Sequence, residues 1–147
     1  MRIPQLVTAG LLLFIAIVGG CKQSAPPSAV ADPQTQIAEA LTRLLQRSME
    51  TSGCFVIVED RSTNKFVQFY GSTSDPLMFD VPFVEMTPEE ITRAEAFFQN
   101  RDGVTKGDLS YMMDFAREVN GAAETAIAVF REVYLIDNDL DLDLKEH

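Results

Sequence analysis

The segment Cys54-Phe55-Val56-Ile57-Val58 determines the fold class that we assign to this chain. It is a continuous apolar run rich in β-branched residues, which is typical of a strand covered on both faces. Turn-forming residues follow at Arg61-Ser62-Thr63-Asn64-Lys65, and a second apolar segment, Phe66-Val67-Gln68-Phe69-Tyr70, comes directly after them. The second segment is therefore expected to return antiparallel to the first.

A third strand is predicted at Leu77-Met78-Phe79-Asp80-Val81, after a loop over residues 71–76. Pro82 cannot donate a hydrogen bond to a neighbouring strand, so this strand should end there or lie at an edge. The three strands are predicted to form an antiparallel meander.

A helix is expected before the meander, with Asp32 as its N-cap and Pro33 in its first turn. Its apolar residues recur at helical spacing as far as Met49, and Gly53 suits its C-terminal end.

A second helix is predicted from Thr87-Pro88-Glu89-Glu90, where threonine as N-cap and glutamate three residues later make a capping box. Met86 should pack against Ile91, and the helix should run to about Gln99. Glu89 and Glu90 are therefore assigned to helix capping and not to acid–base chemistry.

The remainder of the chain is less sharply patterned. Residues 104–115 fit either a fourth strand or the approach to a helix, and a last helix should run from Ala116 or Gly121 to Leu135. The tail alternates leucine and aspartate over residues 139–144, which favours an acidic edge strand. The fold class is α+β: an antiparallel sheet of three meander strands plus one or two more, with about three helices in the order α-β-β-β-α-(β)-α.

Four segments carry a resemblance to known families: Phe66-Val67-Gln68-Phe69, Asp80-Val81-Pro82, Arg93-Ala94-Glu95-Ala96-Phe97-Phe98 and Phe130-Arg131-Glu132-Val133-Tyr134. They resemble the TY-Chap and YbjN families, which share the fold of type III secretion chaperones. The resemblance covers roughly residues 37–135. It implies that fold and a protein-binding, chaperone-like role, and it brings no catalytic residues.

The N-terminus has the layout of a secretory signal, with Arg2 before an apolar stretch over residues 6–20. That stretch is shorter than the ~20 residues of a membrane-spanning helix. Val18-Gly19-Gly20-Cys21 resembles the bacterial lipobox, which implies cleavage between Gly20 and Cys21 and acyl chains such as palmitate on Cys21. In the lipoproteins that this segment resembles, aspartate after the lipidated cysteine retains the protein at the inner membrane. Lys22 stands at that position here, so the resemblance implies that the protein is located on the periplasmic face of the outer membrane if the host has one.

Three regions are expected: a signal peptide at 1–20, a lipidated cysteine and disordered linker at 21–34, and one domain with an acidic C-terminal tail at 35–147. The linker is rich in proline, serine and alanine, and it buries too little apolar surface to offset the entropy of ordering.

The formal net charge is −10, and removing residues 1–20 takes away the +1 of Arg2 and leaves −11. Binding to nucleic acid requires clusters of lysine and arginine, so nucleic acid is not an expected partner. The membrane is expected to be reached through the lipid on Cys21.

Cys54 is interpreted as a core residue, because the one histidine, His147, is the last residue and is expected to be frayed. Asp137-Asn138-Asp139-Leu140-Asp141 alternates oxygen ligands, but glycine is missing from the sixth position of a calcium loop. Asp80 is open to two interpretations: a carboxylate with a shifted pKa, or one that satisfies a backbone group or an arginine. No catalytic, metal or cofactor residue is assigned.

Ten phenylalanines and three tyrosines exceed what one element can bury, since adjacent pairs such as Phe69-Tyr70 point to opposite sides. A second core layer or an exposed binding surface would account for them. The leading hypothesis is a membrane-anchored, non-enzymatic protein-interaction or homodimerising domain. The alternative is an envelope sensor that binds a small ligand or cation through acidic groups near Asp80 or the tail.

Overall fold

Six strands form one sheet in the computed structural model, which describes residues 31–50, 53–137 and 139–147. The strands are β1 (Phe55–Asp60), β2 (Lys65–Tyr70), β3 (Met78–Pro82), β4 (Val104–Lys106), β5 (Ser110–Asp114) and β6 (Leu142–Glu146). Their order across the sheet is β4-β5-β3-β2-β1-β6, and every neighbouring pair is antiparallel. The helices are α1 (Pro33–Leu44), α2 (Pro88–Phe98) and α3 (Val119–Ala128), and α3 continues as a π-helical turn over Val129–Val133.

The predicted α+β class and the three-stranded meander are confirmed. Residues 104–115, which fitted a strand or a helix, contain the two strands β4 and β5. The acidic tail forms β6, an edge strand that pairs with β1. β3 ends at Pro82, as the missing N–H of proline requires.

The helices share one side of the sheet. α1 packs against β1, β6 and α3, and α2 packs against the π-helical turn. Val56 and Val58 are fully buried under this layer, whereas Phe55 and Ile57, which point the other way, are half-buried. The expectation that β1 is covered on both faces is therefore wrong, because no helix of the described residues lies on the second face.

α1 begins where the sequence predicts. The Asp32 carboxylate accepts the Thr35 N–H at 3.2 Å and the Thr35 hydroxyl at 2.6 Å. Pro33 and Gln34 are the first residues of this helix, so α1 overlaps the end of the linker expected at residues 21–34.

The predicted extension of α1 through Met49 to Gly53 is wrong, because the helix ends at Leu44. The Arg117 guanidinium donates a hydrogen bond to the Leu45 carbonyl at 3.1 Å, and the Thr73 N–H donates to the Arg47 carbonyl at 2.8 Å. These tertiary partners satisfy the carbonyls at the helix end and turn the chain away. Met49 is left 65% exposed.

The capping box at the start of α2 is confirmed. The Thr87 hydroxyl accepts the Glu90 N–H at 3.2 Å, and the Glu90 carboxylate accepts the Thr87 N–H at 2.8 Å. Lys65 also binds the Glu90 carboxylate, at 2.9 Å. Burial acts to raise the pKa of Glu90, but these bonds outweigh burial and hold that pKa below its ordinary value.

The last helix ends in a widened turn, where the Tyr134 N–H bonds back to the Val129 carbonyl at 3.2 Å. Leu135 then adopts φ +58°, and the Arg93 Nε donates to the Val133 carbonyl at 2.7 Å. The predicted core face of this helix is confirmed as buried; its members are Ala123, Ile127, Phe130 and Tyr134. None of the helices in the described ranges is both long enough and apolar enough to cross a membrane.

Candidate functional site

The side of the sheet away from the helices carries a mainly apolar surface, which we call the open face. It consists of the outward-pointing residues of the four central strands, since alternate side chains of a strand point to opposite sides. Its members are Phe55, Ile57, Glu59, Phe66, Gln68, Tyr70, Met78, Asp80, Pro82, Ser110, Met112 and Asp114. Tyr70 is 41% exposed, Met112 is 37% exposed and Asp114 is also exposed, while the others are half-buried.

The strand register aligns the open face in rows across the sheet. Tyr70 pairs with Phe55 on one side and with Met78 on the other. The next row contains Ile57, Gln68, Asp80 and Met112 in that order. Apolar side chains therefore surround two polar ones at the middle of the sheet.

The aromatic end of the open face is tightly packed. The rings of Phe55 and Tyr70 lie 6.1 Å apart, and the His147 ring stacks on Phe55 at 4.6 Å with an interplanar angle of 14°. The backbone of His147 also exchanges two hydrogen bonds with Phe55. The expectation of a frayed C-terminal histidine is wrong, because β6 brings His147 into register with the start of β1.

This register separates His147 from Cys54. Cys54 precedes Phe55 and is 8% exposed on the helix side, whereas His147 lies with Phe55 on the open face. A cysteine–histidine pair would need both side chains on one side of the sheet. The interpretation of Cys54 as a core residue is confirmed by its burial.

A depression of about 680 Å³ adjoins the aromatic end of the open face. Phe55, Tyr70 and Met78 form its floor from the sheet, and Met49 and Pro76 line it from the loops at that end. Most of these side chains are apolar. The depression is thus large enough to receive one or more apolar side chains of another molecule.

Asp80 lies near the centre of the open face. Partial burial raises its pKa, and a hydrogen bond with Ser110 opposes that effect. Among the described residues, no lysine or arginine lies within 4.0 Å of its carboxylate. The arginine partner considered from the sequence is therefore not found among the described residues, and the direction of the pKa shift agrees with the other interpretation of Asp80.

The neighbours of Asp80 belong to a small polar group. The Tyr70 hydroxyl donates to the Gln68 Oε1 at 2.9 Å, and Gln68 faces Asp80 across the β2–β3 pair. Burial raises the pKa of Tyr70, and the negative charge of Asp80 adds to that effect. The centre of the open face therefore offers one carboxylate and one amide among apolar side chains.

The acidic tail is engaged in ion pairs. Arg61 contacts Asp141 at 2.7 Å and Asp143 at 3.5 Å, and Lys145 contacts Glu59 at 2.8 Å. Glu146 is held between Arg43 and Arg47 of the α1 end. Within residues 31–50, 53–137 and 139–147, no three His, Cys, Asp or Glu side chains are grouped so as to hold a metal ion.

Sequence reasoning missed Asp60, whose side chain is completely buried. Its carboxylate accepts the hydroxyls of Ser62 and Thr63 at 2.5 and 2.8 Å and the Asp141 N–H at 3.1 Å. Burial acts to raise the pKa of Asp60, and these hydrogen bonds outweigh it and lower the pKa. The spacing of aspartate two and three residues before serine and threonine was the available signal, since it is typical of a side-chain-stabilised turn.

The predicted lipidation and cleavage residues, Cys21 and Gly20, lie outside the described residues. No protein-family model matches the chain, and no curated protein or solved structure has significant similarity to it.

Proposed function

We propose that the chain is a lipid-anchored, non-enzymatic module that binds a protein partner through its open face. The observation that carries this proposal is the contrast between the two sides of the sheet. An antiparallel sheet with one face in water commonly has polar side chains there. Here the water-facing positions of β1, β2 and β3 include Phe55, Ile57, Phe66, Tyr70 and Met78.

The composition of the open face supports a protein partner. Aromatic residues and methionine are enriched at protein interfaces, while charged residues are depleted from interface centres. The open face has three aromatic rings and two methionines; of its three carboxylates, Asp80 lies near the centre, Glu59 is paired with Lys145, and Asp114 lies at the end of β5. Contiguous exposed apolar surface of this kind marks interaction sites in soluble proteins.

The distribution of reactive groups supports a role without catalysis. Cys54 is buried on the helix side, away from the imidazole of His147. Asp60 is saturated with hydrogen bonds, and Glu90 is used for helix capping and for the pair with Lys65. Nucleophilic catalysis requires a nucleophile beside its base, and these residues do not form such a pair.

The signal and the lipobox-like segment before Cys21 support the anchor. The chain enters α1 at Asp32, and Met49, five residues beyond the end of α1 at Leu44, lines the depression. Twelve helical residues span about 18 Å. The depression therefore adjoins the end of α1 opposite to the end at which the chain enters the domain.

A chemical cross-linking experiment tests the proposal. The full chain with its anchor is cross-linked in the membranes of the cells that produce it and then purified. We expect a discrete adduct from the wild type that is lost in Met112→Arg, because a cation beside Asp80 disrupts the apolar surface and neutralises its central carboxylate. Leu109→Arg is the matched control: Leu109 is 80% exposed in the loop before β5. Equal adducts from both variants would contradict a role of the open face.

A further inference from the structure

We infer that the open face accepts a partner segment in which a lysine or arginine side chain binds Asp80 while a neighbouring apolar side chain enters the depression beside Met78. This inference rests on the proposed function, and it specifies the chemistry of the partner.

The need for a cation follows from the charges of the open face. Lys145, the nearest lysine in the row of Asp80, lies three strands away, or about 14 Å at ~4.8 Å per strand. Lys145 is also engaged with Glu59 at 2.8 Å. A carboxylate in an apolar surface is stabilised by an opposite charge, and the chain supplies none to Asp80 within 4.0 Å among its described residues. The complementary charge must therefore come from the partner.

The need for an apolar group follows from the position of Met78. It lies two residues before Asp80 on β3, on the same side of the sheet, which places the two about 7 Å apart. Met78 lines the depression together with Phe55 and Tyr70. An extended partner segment with its basic and apolar residues two positions apart has the same spacing.

A second copy of this chain fits the open face less well. Two copies related by a two-fold axis would place identical surfaces together, and both would bring Asp80 and Glu59 with no unpaired lysine of the open face to meet them. The sheet is six strands wide and about five residues long, which gives a projected area of roughly 480 Å² at ~4.8 Å per strand and ~3.3 Å per residue. A stable protein interface buries about 800 Å² on each partner. The area suits one segment of a partner better than a whole sheet-to-sheet dimer.

Fluorescence anisotropy with short peptides tests this inference on the full lipidated chain in nanodiscs, with empty nanodiscs as the blank. The probes are labelled, end-blocked heptapeptides of threonine and serine that contain one phenylalanine and, two positions away, either lysine or glutamate. We expect the lysine peptide to bind about tenfold more tightly than the glutamate peptide, the ratio of a single favourable charge contact. Asp80→Asn should remove this preference, and Asp102→Asn, an exposed loop carboxylate, should retain it.

Three results would overturn the inference. They are equal binding of the two peptides, a lysine preference that survives in Asp80→Asn, and an adduct in the cross-linking experiment that proves to be a homodimer joined through the open face. If a partner adduct depends on Met112 while neither peptide binds, the inference is wrong and the proposed function stands. If the adduct is also independent of Met112, both are wrong.

Discussion

Asp80 faces Gln68 across the β2–β3 pair, on the side of the sheet that no helix of the described residues covers. The position of Asp80 in the row places a carboxylate between an amide and the side chain of Met112. The adjacent pair in the same two strands is apolar and points to the other side of the sheet: Phe69 faces Phe79 with ring centroids 4.8 Å apart. One side of these strands therefore forms the core, and the other side forms a surface with a carboxylate near its centre.

The first prediction concerns the pH dependence of Asp80. Its pKa is raised in the folded state, so the folded protein holds a proton there more readily than the unfolded chain. Ionised Asp80 therefore lowers the free energy of unfolding at pH values above the folded pKa, and this cost vanishes below the ordinary carboxyl pKa of about 3.9. We expect Asp80→Asn to stabilise the protein near neutral pH and to have no stabilising effect at low pH.

Urea unfolding at the two pH values measures this difference, with Asp102→Asn as the control. A variant that is less stable than the wild type near neutral pH would mean that the charge of Asp80 is satisfied within the domain.

Asp60 should show the opposite dependence. Its folded pKa is lowered, so the carboxylate stabilises the fold above its unfolded pKa, and the stabilisation is lost as the pH falls through the folded pKa. Asp60→Asn replaces one acceptor oxygen with a donor and leaves donors from Ser62 and Thr63 unsatisfied. We expect a loss of roughly 2–3 kcal/mol near neutral pH.

Denaturant unfolding of Asp60→Asn beside Asp108→Asn, an exposed carboxylate, gives the comparison. An equal, small effect in both variants would show that the hydrogen bonds of Asp60 contribute little.

The capping box predicts a local effect on α2. Thr87→Ala removes the hydroxyl that accepts the Glu90 N–H, and we expect a loss of about 1 kcal/mol in the free energy of unfolding. Thr92→Ala is the matched control, because Thr92 is exposed within the same helix and alanine has the higher helix propensity. Chemical denaturation should show Thr87→Ala as the less stable of the two, and the reverse order would argue against the cap.

The end of the last helix stores backbone strain that glycine would relieve. Leu135 has φ +58° and is 57% exposed, so its side chain gains little by burial while its backbone is in the left-handed region. Leu135→Gly is expected to raise stability by up to about 1 kcal/mol, since the relief of strain exceeds the entropy that glycine adds to the unfolded chain. Leu109→Gly, exposed and without a positive φ, should be neutral or destabilising in the same thermal melts.

The sequence carried much of the fold, because local chemistry decides the elements concerned. The alternating tail predicted β6, and Thr87 with Glu90 predicted the start of α2. The end of α1 was wrong because Arg117, more than 70 residues away, binds the carbonyl of Leu45. Such a tertiary contact leaves no signal in the helical segment itself.

The candidate site was predicted only in part. An aromatic excess and an unusual aspartate were evident, but the alignment of Asp80 with Gln68 depends on strand register, which no local pattern encodes. The run Val56-Ile57-Val58 resembled a strand with two buried faces, because the same aliphatic residue types occur in a core and on an apolar sheet surface. Asp60 was missed because its partner Asp141 N–H is reached only through the β1–β6 pairing.

Site-specific photo-cross-linking identifies the side chains of this protein that meet a partner in the cell, and so it tests the proposed role of the open face. A photoreactive amino acid is placed at Tyr70 or Met112 on the open face, and at Leu109 or Leu135 as exposed positions off it. We expect a defined protein adduct from the first two positions that is absent from the last two. Adducts from Leu109 or Leu135 alone, or an open face that yields none at either position, would contradict it.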